Sequence, residues 1–434
     1  MAEILPFRAW RYSDSFSERI EELSAPLFDV VSSQQREQLY KNPYNAIHLS
    51  VPHQPHPIEN AKKTILDWKA KGVITQDQLP GVYVYYQYFR LPGEENERCR
   101  KGFIIQIKAY DWDEGVILRH ENTIVSAVND RVDLLAATQM QASPTHGLYV
   151  DSDFQLEQYM DAAMSSPIYE VEDYQGVREV LAVIHDADVI RRFLRLIKKK
   201  QIILADGHHR LEGAIAYRKS RSKAFQDKKW KAHDYHLMYL TNAASDDLKI
   251  LPTHRLYYDL DLIKPQFFEK LKEWFLIKPF SDPEELGTYT FRRVRKFGLL
   301  IEDEAYIIEL KPELFDQINQ EMPEVLRKLD LVILHEVLFR RVLGIPHEEQ
   351  RNKENLVYER NFSKCLREVQ SQKASFAIIT RELEMSQVLD VCKSGYLMPQ
   401  KSTYFYPKAL SGLIFASIDQ DEFEYEYDAF FGKN

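Results

Sequence analysis

Apolar residues along this chain change period at identifiable places, and those changes predict the elements. Ile202, Ile203 and Leu204 form a short, largely β-branched run of the kind that makes a buried strand. Leu211, Ala214, Ile215 and Arg218 then fall at helical spacing. Gly207 lies between them and accepts backbone angles that other residues resist, so 201–214 reads as strand, glycine turn and helix start. Just before it, 187–200 reads as an amphipathic helix with Val189, Ile190, Phe193, Leu194 and Ile197 on one stripe, its final Lys198-Lys199-Lys200 suiting the negative helix end. Further strands are expected at 4–12, 47–51, 82–89, 102–110, 116–118, 236–241 and 375–380, alternation at 296–309, and an edge strand at 422–427. Helices are expected at 34–40, at 59–71 closing on Gly72, and at 129–138, 264–275, 325–342 and 384–394. The stretch 154–180 reads as helix and loop, Pro92-Gly93 as a hairpin turn, and 346–356 as a charged, solvated loop.

Composition sets the scale and excludes some partners. A chain of 434 residues with 44% hydrophobic and 12% aromatic content builds two or three packed units, and a boundary is expected near 258. Net charge is −9, from 57 basic and 66 acidic residues, which argues against a general nucleic-acid binder while allowing a local basic pocket. Cys99, Cys365 and Cys392 are widely spaced, match no zinc pattern and fit a reducing compartment. No apolar run approaches membrane-spanning length, so the expectation is a soluble, cytoplasmic protein without a membrane partner.

The candidate chemistry begins at Asp206-Gly207-His208-His209-Arg210. A strand–glycine–helix turn aims backbone N–H groups and a positive helix end at one point, which suits a phosphate, and two histidines and an arginine add donors and charge there. Two other readings of the same residues remain: Asp206 as a plain N-cap, or Asp206, His208 and His209 as metal ligands. Three more clusters attract notice. His120-Glu121 follows a strand, Thr253-His254-Arg255 follows another, and Lys401-Ser402-Thr403, with Lys408, lies in a proline-bounded loop able to hold an anion. Each also reads as an ordinary solvated turn. His48, His53 and His56 share no regular face and are expected in solvent, while Arg8 and Asp29 are further candidates to line the site.

Asp206 to Arg210, with the apolar strand before and the alanine-bearing helix after, resembles the signature of the free-serine kinase (SerK) family, within the ParB/sulfiredoxin-like nucleotide-binding superfold. It also resembles a widespread bacterial family of unknown function and similar length. A strand leading into His120-Glu121 is a second match. The order strand, helix, glycine turn, proline, then basic residue and hydroxyls over 375–408 is a third. The resemblance implies an α+β fold: a mixed-sheet nucleotide-binding core at 101–258, an N-terminal α/β extension at 1–100, and a C-terminal α/β region at 259–434 with a substrate loop at 397–408. It implies a phosphotransferase interconverting L-serine and O-phospho-L-serine, with ADP or ATP as cosubstrate and Mg²⁺ carried on the nucleotide phosphates.

On that resemblance, Gly207, His208, His209 and Arg210 bind the nucleotide phosphates, and Glu121, Asp206 and His209 are catalytic, with Glu121 as general base. Lys401, Ser402, Thr403 and Lys408, joined by His254 and Arg255, hold the amino acid. The chain departs from the kinases in a longer insertion between Glu121 and Asp206, and in Tyr404 and Phe405 standing where they carry basic residues. The rival expectations are a metal-dependent phosphoserine phosphatase and a non-enzymatic ParB-like nucleotide switch. A sulfiredoxin-like reductase is disfavoured because the turn holds no cysteine.

Overall fold

The computed structural model describes every residue except 29, 92–93, 261, 291–292, 319, 351–354, 400 and 432–434, so Asp29 and the Pro92-Gly93 turn lie outside the described residues. The chain divides into two compact units. The first comprises Met1–Arg119, Thr123–Lys249 and Pro407–Asn434, and the second His120–Asn122 and Ile250–Tyr406.

The first unit is α+β, built on a large mixed sheet. Its strands run in the order Ile117–Leu118, Ile202–Asp206, Thr145–Tyr149, Tyr235–Asn242, Arg98–Lys108, Val82–Phe89, Arg178–Ile184 and Tyr169–Glu172, with Ile4–Leu5 also paired to Arg98–Lys108. Pairing is parallel at Ile202–Asp206 with Ile117–Leu118 and at Tyr235–Asn242 with Thr145–Tyr149, and antiparallel elsewhere. Both faces are covered, which is why Val82–Phe89 is apolar or aromatic at nearly every position. One face packs Val84, Phe103, Ile105 and Leu204 with Ile190, Phe193 and Ile197 of helix Ala187–Lys198, the stripe expected from the periodicity. The other face packs Tyr83, Tyr85 and Tyr239 with Trp68 of helix Pro57–Ala70 and with Phe415.

Residue 100 is not a boundary. Ile4–Leu5 and Val82–Phe89 both hydrogen-bond to Arg98–Lys108, so the first hundred residues are woven into the sheet. Nor does the last segment stay with the second unit: Ala416–Ser417 pairs with Met140–Gln141 in the first. Three local expectations are corrected as well. The expected strand at 47–51 is the helix Ile47–Ser50, started by the buried Asn45 side chain, which accepts from Ile47 N at 2.8 Å. The 154–180 stretch holds the strand Tyr169–Glu172 and the start of Arg178–Ile184. The expected edge strand at 422–427 overlaps helix Gln420–Phe423, capped by Asp419.

The second unit has a six-stranded antiparallel sheet in the order Phe275–Phe280, Glu304–Leu310, Lys296–Ile301, Phe376–Ile379, His254–Tyr257, Leu356–Glu359. Because His254–Tyr257 is an interior strand here, the division falls at 249/250, ahead of the expected 258. The apolar stretch 325–342 is broken into Glu324–Arg327, Asp330–Ile333 and a π-helical run, Leu334–Val342, that buries Leu334, Val337, Leu338 and Phe339. The expected loop at 346–356 includes the short helix His347–Gln350.

Candidate functional site

In the first unit, strand Ile202–Asp206 is buried along its whole length between two paired strands and delivers Asp206 to the Gly207 turn. Gly207 follows with φ of +89°, and a Cβ there would stand 2.6 Å from Thr145 Cγ2 and 2.9 Å from Arg210 Nη2, so glycine is required twice over. Helix His208–Ser220 begins at once. Its first intrahelical bond runs from Leu211 N to Gly207 O at 3.0 Å, which leaves the amides of residues 208–210 ahead of the helix's own ladder.

Asp206 is clamped from both sides. Oδ2 accepts from Arg210 Nη2 at 2.8 Å and Oδ1 from Lys408 Nζ. Burial works against the charge, but Lys408 and Arg210 outweigh it and hold the carboxyl well below the usual range. Arg210 Nη1 also donates to Pro144 O at 2.6 Å, and Gln87 Nε2 donates to Lys408 O at 3.0 Å, so both cations are themselves tied down. Around this pair stand neutral histidines. His146 packs on the Tyr239 ring and pairs with Thr241 Oγ1 at 2.7 Å, and burial and then Arg100 depress its pKa. His236 pairs with Thr145 Oγ1 at 3.1 Å and is pushed down to about 3 by burial, with Arg210 adding to it. His209 Nε2 accepts from Ile124 N at 3.0 Å, which puts its ring proton on Nδ1.

This arrangement revises three expected roles. Arg210 is 7% exposed and faces inward, so it braces the turn instead of reaching for phosphate. Asp206 has both oxygens engaged by cations and is an anchor. Lys408 belongs to the first unit and to Asp206, and not to a substrate loop. Gly207, His208 and His209 remain together at the helix start.

Within the second unit a separate group of expected residues assembles. Glu121 Oε1 accepts from Ser402 N at 3.1 Å, His120 Nε2 pairs with Thr403 Oγ1 at 2.8 Å, and Met398 N donates to His120 O at 2.8 Å. Ser402 is buried and its hydroxyl donates to Pro399 O, whereas Lys401 is exposed with φ of +57°. His120 and Glu121 are therefore joined to Met398, Ser402 and Thr403 by hydrogen bonds within the second unit.

His254 and Arg255 do not join it. Both are interior residues of the sheet: His254 Nδ1 accepts from Thr380 N at 3.2 Å, and burial, then Arg255, pushes its pKa down to about 3. Arg255 donates to Thr253 O, lies 5.2 Å over the Tyr358 ring and is fully buried. Arg8 donates to Glu422 O at 2.8 Å in the first unit. His53 and His56 are exposed, and His48 is half-buried against Asn42 O at 3.0 Å. Among the described residues no group of three or more His, Cys, Asp or Glu side chains is placed to hold a metal ion. Burial raises the thiols of Cys99 to about 11 and of Cys365 and Cys392 to about 12, as suits inert cysteines. Among the described residues no helix is long and apolar enough to cross a membrane.

Sequence reasoning missed the buried polar group behind Lys408: Gln87 Nε2 donates to Lys408 O and to Glu179 Oε1, each at 3.0 Å, and Arg100 donates to Pro407 O and to Gln87 Oε1. Gln87 lies in an expected strand, whereas Arg100 and Glu179 fall outside the strands expected from the pattern.

A family model described as a protein of unknown function, DUF1015, matches residues 4–332. Among solved structures, a free serine kinase in complex with AMP is 13% identical, covering 71% of this chain and 92% of its own with a TM-score of 0.35. A conserved hypothetical protein from Pyrococcus furiosus is 13% identical, covering 74% and 97% at a TM-score of 0.36. SbnI with a C-terminal truncation, from Staphylococcus aureus, is 10% identical, covering 73% and 90% at a TM-score of 0.34. No curated protein matches the chain.

Proposed function

The chain belongs to the DUF1015 family, and from that premise we propose that it is a phosphotransferase moving a phosphoryl group between an adenine nucleotide and the hydroxyl of L-serine or a related amino alcohol. The nucleotide class is carried over from the free serine kinases solved with AMP and ADP. The residue roles are argued from this chain.

The observation that carries the reading is the clamp on Asp206. A carboxylate buried between Arg210 and Lys408 holds the Gly207 turn rigid, so that the amides at the start of helix His208–Ser220 keep one orientation. Pre-set donors at a positive helix end suit nucleotide phosphates, whose transfer depends on positioning and electrostatics more than on covalent help. His208 and His209 flank that point. In the reaction the acceptor hydroxyl oxygen attacks the terminal phosphorus, the bridging P–O bond breaks, and the shortened nucleotide leaves. The hydroxyl proton passes to the Glu121 carboxylate, which the Ser402 amide orients. Lys401 is the exposed cation of that loop and answers the acceptor's carboxylate. Mg²⁺ would be carried by the nucleotide itself and would offset the charge of its phosphates, since both Asp206 oxygens are taken by Arg210 and Lys408. On this reading the first unit is a ParB/sulfiredoxin-like nucleotide-binding core.

The test uses the full-length protein with Mg²⁺, ATP or ADP, and L-serine or a panel of amino alcohols, with phosphoester formation followed by mass spectrometry. Nucleotide-dependent phosphoester is expected. No phosphoester with any acceptor, together with no nucleotide binding by calorimetry, overturns the reading.

A further inference from the structure

The first unit carries a second hollow, away from the Gly207 turn. It is a cleft of about 410 Å³, within the range of about 300–1,000 Å³ usual for small-ligand sites. Arg192, Arg195, Lys199 and Lys200, at the end of helix Ala187–Lys198, line one side. Leu156 and Tyr159, at the start of helix Glu157–Ala163, line the other, and no acidic residue is among those lining it. In a chain of net charge −9, four cations around one hollow reverse the sign locally.

The plain account of the lysines is that they offset the negative helix end. Their side chains do otherwise. Lys200 Nζ leaves the helix, donating to Val150 O at 2.6 Å and pairing with Asp151 at 3.4 Å. The exposed side chains of Arg195 and Lys199 have neither a hydrogen-bond nor an ion-pair partner among the described residues. Arg192 Cζ lies 5.4 Å from the Tyr159 ring centroid, which steadies the guanidinium and leaves its N–H fork for an acceptor. Asp188, one turn earlier, acts on Arg192 and Arg195 but is itself held by Arg191. Four cations therefore face the cleft against the single Asp151 carboxylate paired to Lys200. Arg192, Arg195 and Lys199 stand at i, i+3 and i+7, so they cover about 10 Å of the helix axis. That density of charge suits linked phosphates better than one carboxylate, and guanidinium forks meet phosphate oxygens in pairs. A long polyanion would run past the cleft by more than a Debye length of about 8 Å into the field of an acidic chain, whereas a compact ligand stays inside it.

We infer that this cleft binds a small soluble polyphosphate, an inorganic oligophosphate or the phosphate chain of a nucleotide, through Arg192, Arg195, Lys199 and Lys200. It is separate from the site proposed at Gly207. Lys200 precedes strand Ile202–Asp206 and Gly207 follows it, and five extended residues set the two about 15 Å apart. The inference does not depend on the phosphotransferase reading.

The experiment is lysine acetylation of the full chain, read residue by residue by mass spectrometry, with tripolyphosphate, ATP, citrate, oligothymidylate or phosphatidylserine vesicles added. Tripolyphosphate is expected to slow modification of Lys199 at least about fivefold and that of the exposed Lys62 and Lys63 less than about twofold. Arg195→Gln is expected to raise the tripolyphosphate concentration for half protection at least about fivefold, and Lys63→Gln, the same charge change in the same unit, less than about twofold. Both positions are exposed, so neither variant threatens the fold. Gly207→Ala, which disturbs the other site, is expected to leave Lys199 protection unchanged. ATP protecting as well as tripolyphosphate upholds the inference with a nucleotide as ligand, and weaker protection by ATP upholds it with an oligophosphate. Equal protection by citrate, protection only by oligothymidylate or vesicles, equal shielding of Lys62 and Lys63, or no shielding of Lys199 overturns it. Protection of Lys199 in a protein that transfers no phosphoryl group upholds the cleft and overturns the phosphotransferase reading alone.

Discussion

Lys408→Met isolates the clamp on which the nucleotide reading stands. The Lys408 and Asp206 side chains are 8% and 10% exposed, so water does not replace the lost ammonium. Removing one partner of a buried ion pair costs about 3–5 kcal/mol, and because Arg210 stays on Oδ2 the expected loss is at the low end, about 3 kcal/mol. In a unit of this size that lowers the melting temperature by about 6–12 °C. Tryptophan fluorescence is a suitable probe, since Trp10, Trp68, Trp112 and Trp230 lie in the first unit and only Trp274 in the second. The exposed Lys401→Met serves as control and is expected to shift stability by no more than about 0.5 kcal/mol. A double-mutant cycle with Asp206→Asn is expected to show coupling of about 2–3 kcal/mol. The pH dependence has a definite sign. Asp206 is depressed in the folded state, so its stabilisation is present above its unfolded pKa of about 4 and is lost as pH falls below that value. The gap between wild type and Lys408→Met should therefore hold at neutral pH and narrow in acid. A shift below about 2 °C, or strict additivity in the cycle, would refute the argument that the turn is braced from within.

Glu179, 1% exposed, is pushed up to about 8 mainly by burial, with Gln87 Nε2 as a hydrogen-bond donor at 3.0 Å. Folded, it keeps its proton between its unfolded pKa and 8, so the native state binds more protons there and stability falls as pH rises, by about 1.4 kcal/mol per unit. Glu179→Gln should match wild type near pH 5 and gain steadily toward pH 8 in thermal melts, and a constant difference would sink the idea. Gly207→Ala forces a side chain to φ of +89° and against Thr145 and Arg210, and is expected to cost about 1–3 kcal/mol and to weaken nucleotide binding in calorimetry. Glu121→Gln should abolish phosphoester formation while leaving nucleotide affinity near wild type. Retained turnover would remove Glu121 from its role.

Residue patterning by itself determined the locally encoded elements. The stripe of helix Ala187–Lys198, the aromatic strand Val82–Phe89 and the succession of strand, Gly207 turn and helix over 202–220 all follow from side chains a few positions apart. Glu121 and Ser402–Thr403 were singled out from the chain and do meet in the second unit. What the pattern could not carry is partner choice. Thr253-His254-Arg255 looks like a polar turn until two strands cover it, and 422–427 alternates although Asp419 starts a helix there. Arg210 and Lys408 look like phosphate ligands in the primary structure. Arg210 meets Asp206 four positions away at the strand–helix junction, whereas only the tertiary fold brings Lys408 to it across 202 positions, and the two contacts together turn candidate binding cations into supports. The reason is physical: periodicity records which side of an element is dry, whereas a charge's role depends on the counter-charge it meets, and for Lys408 tertiary packing supplies it.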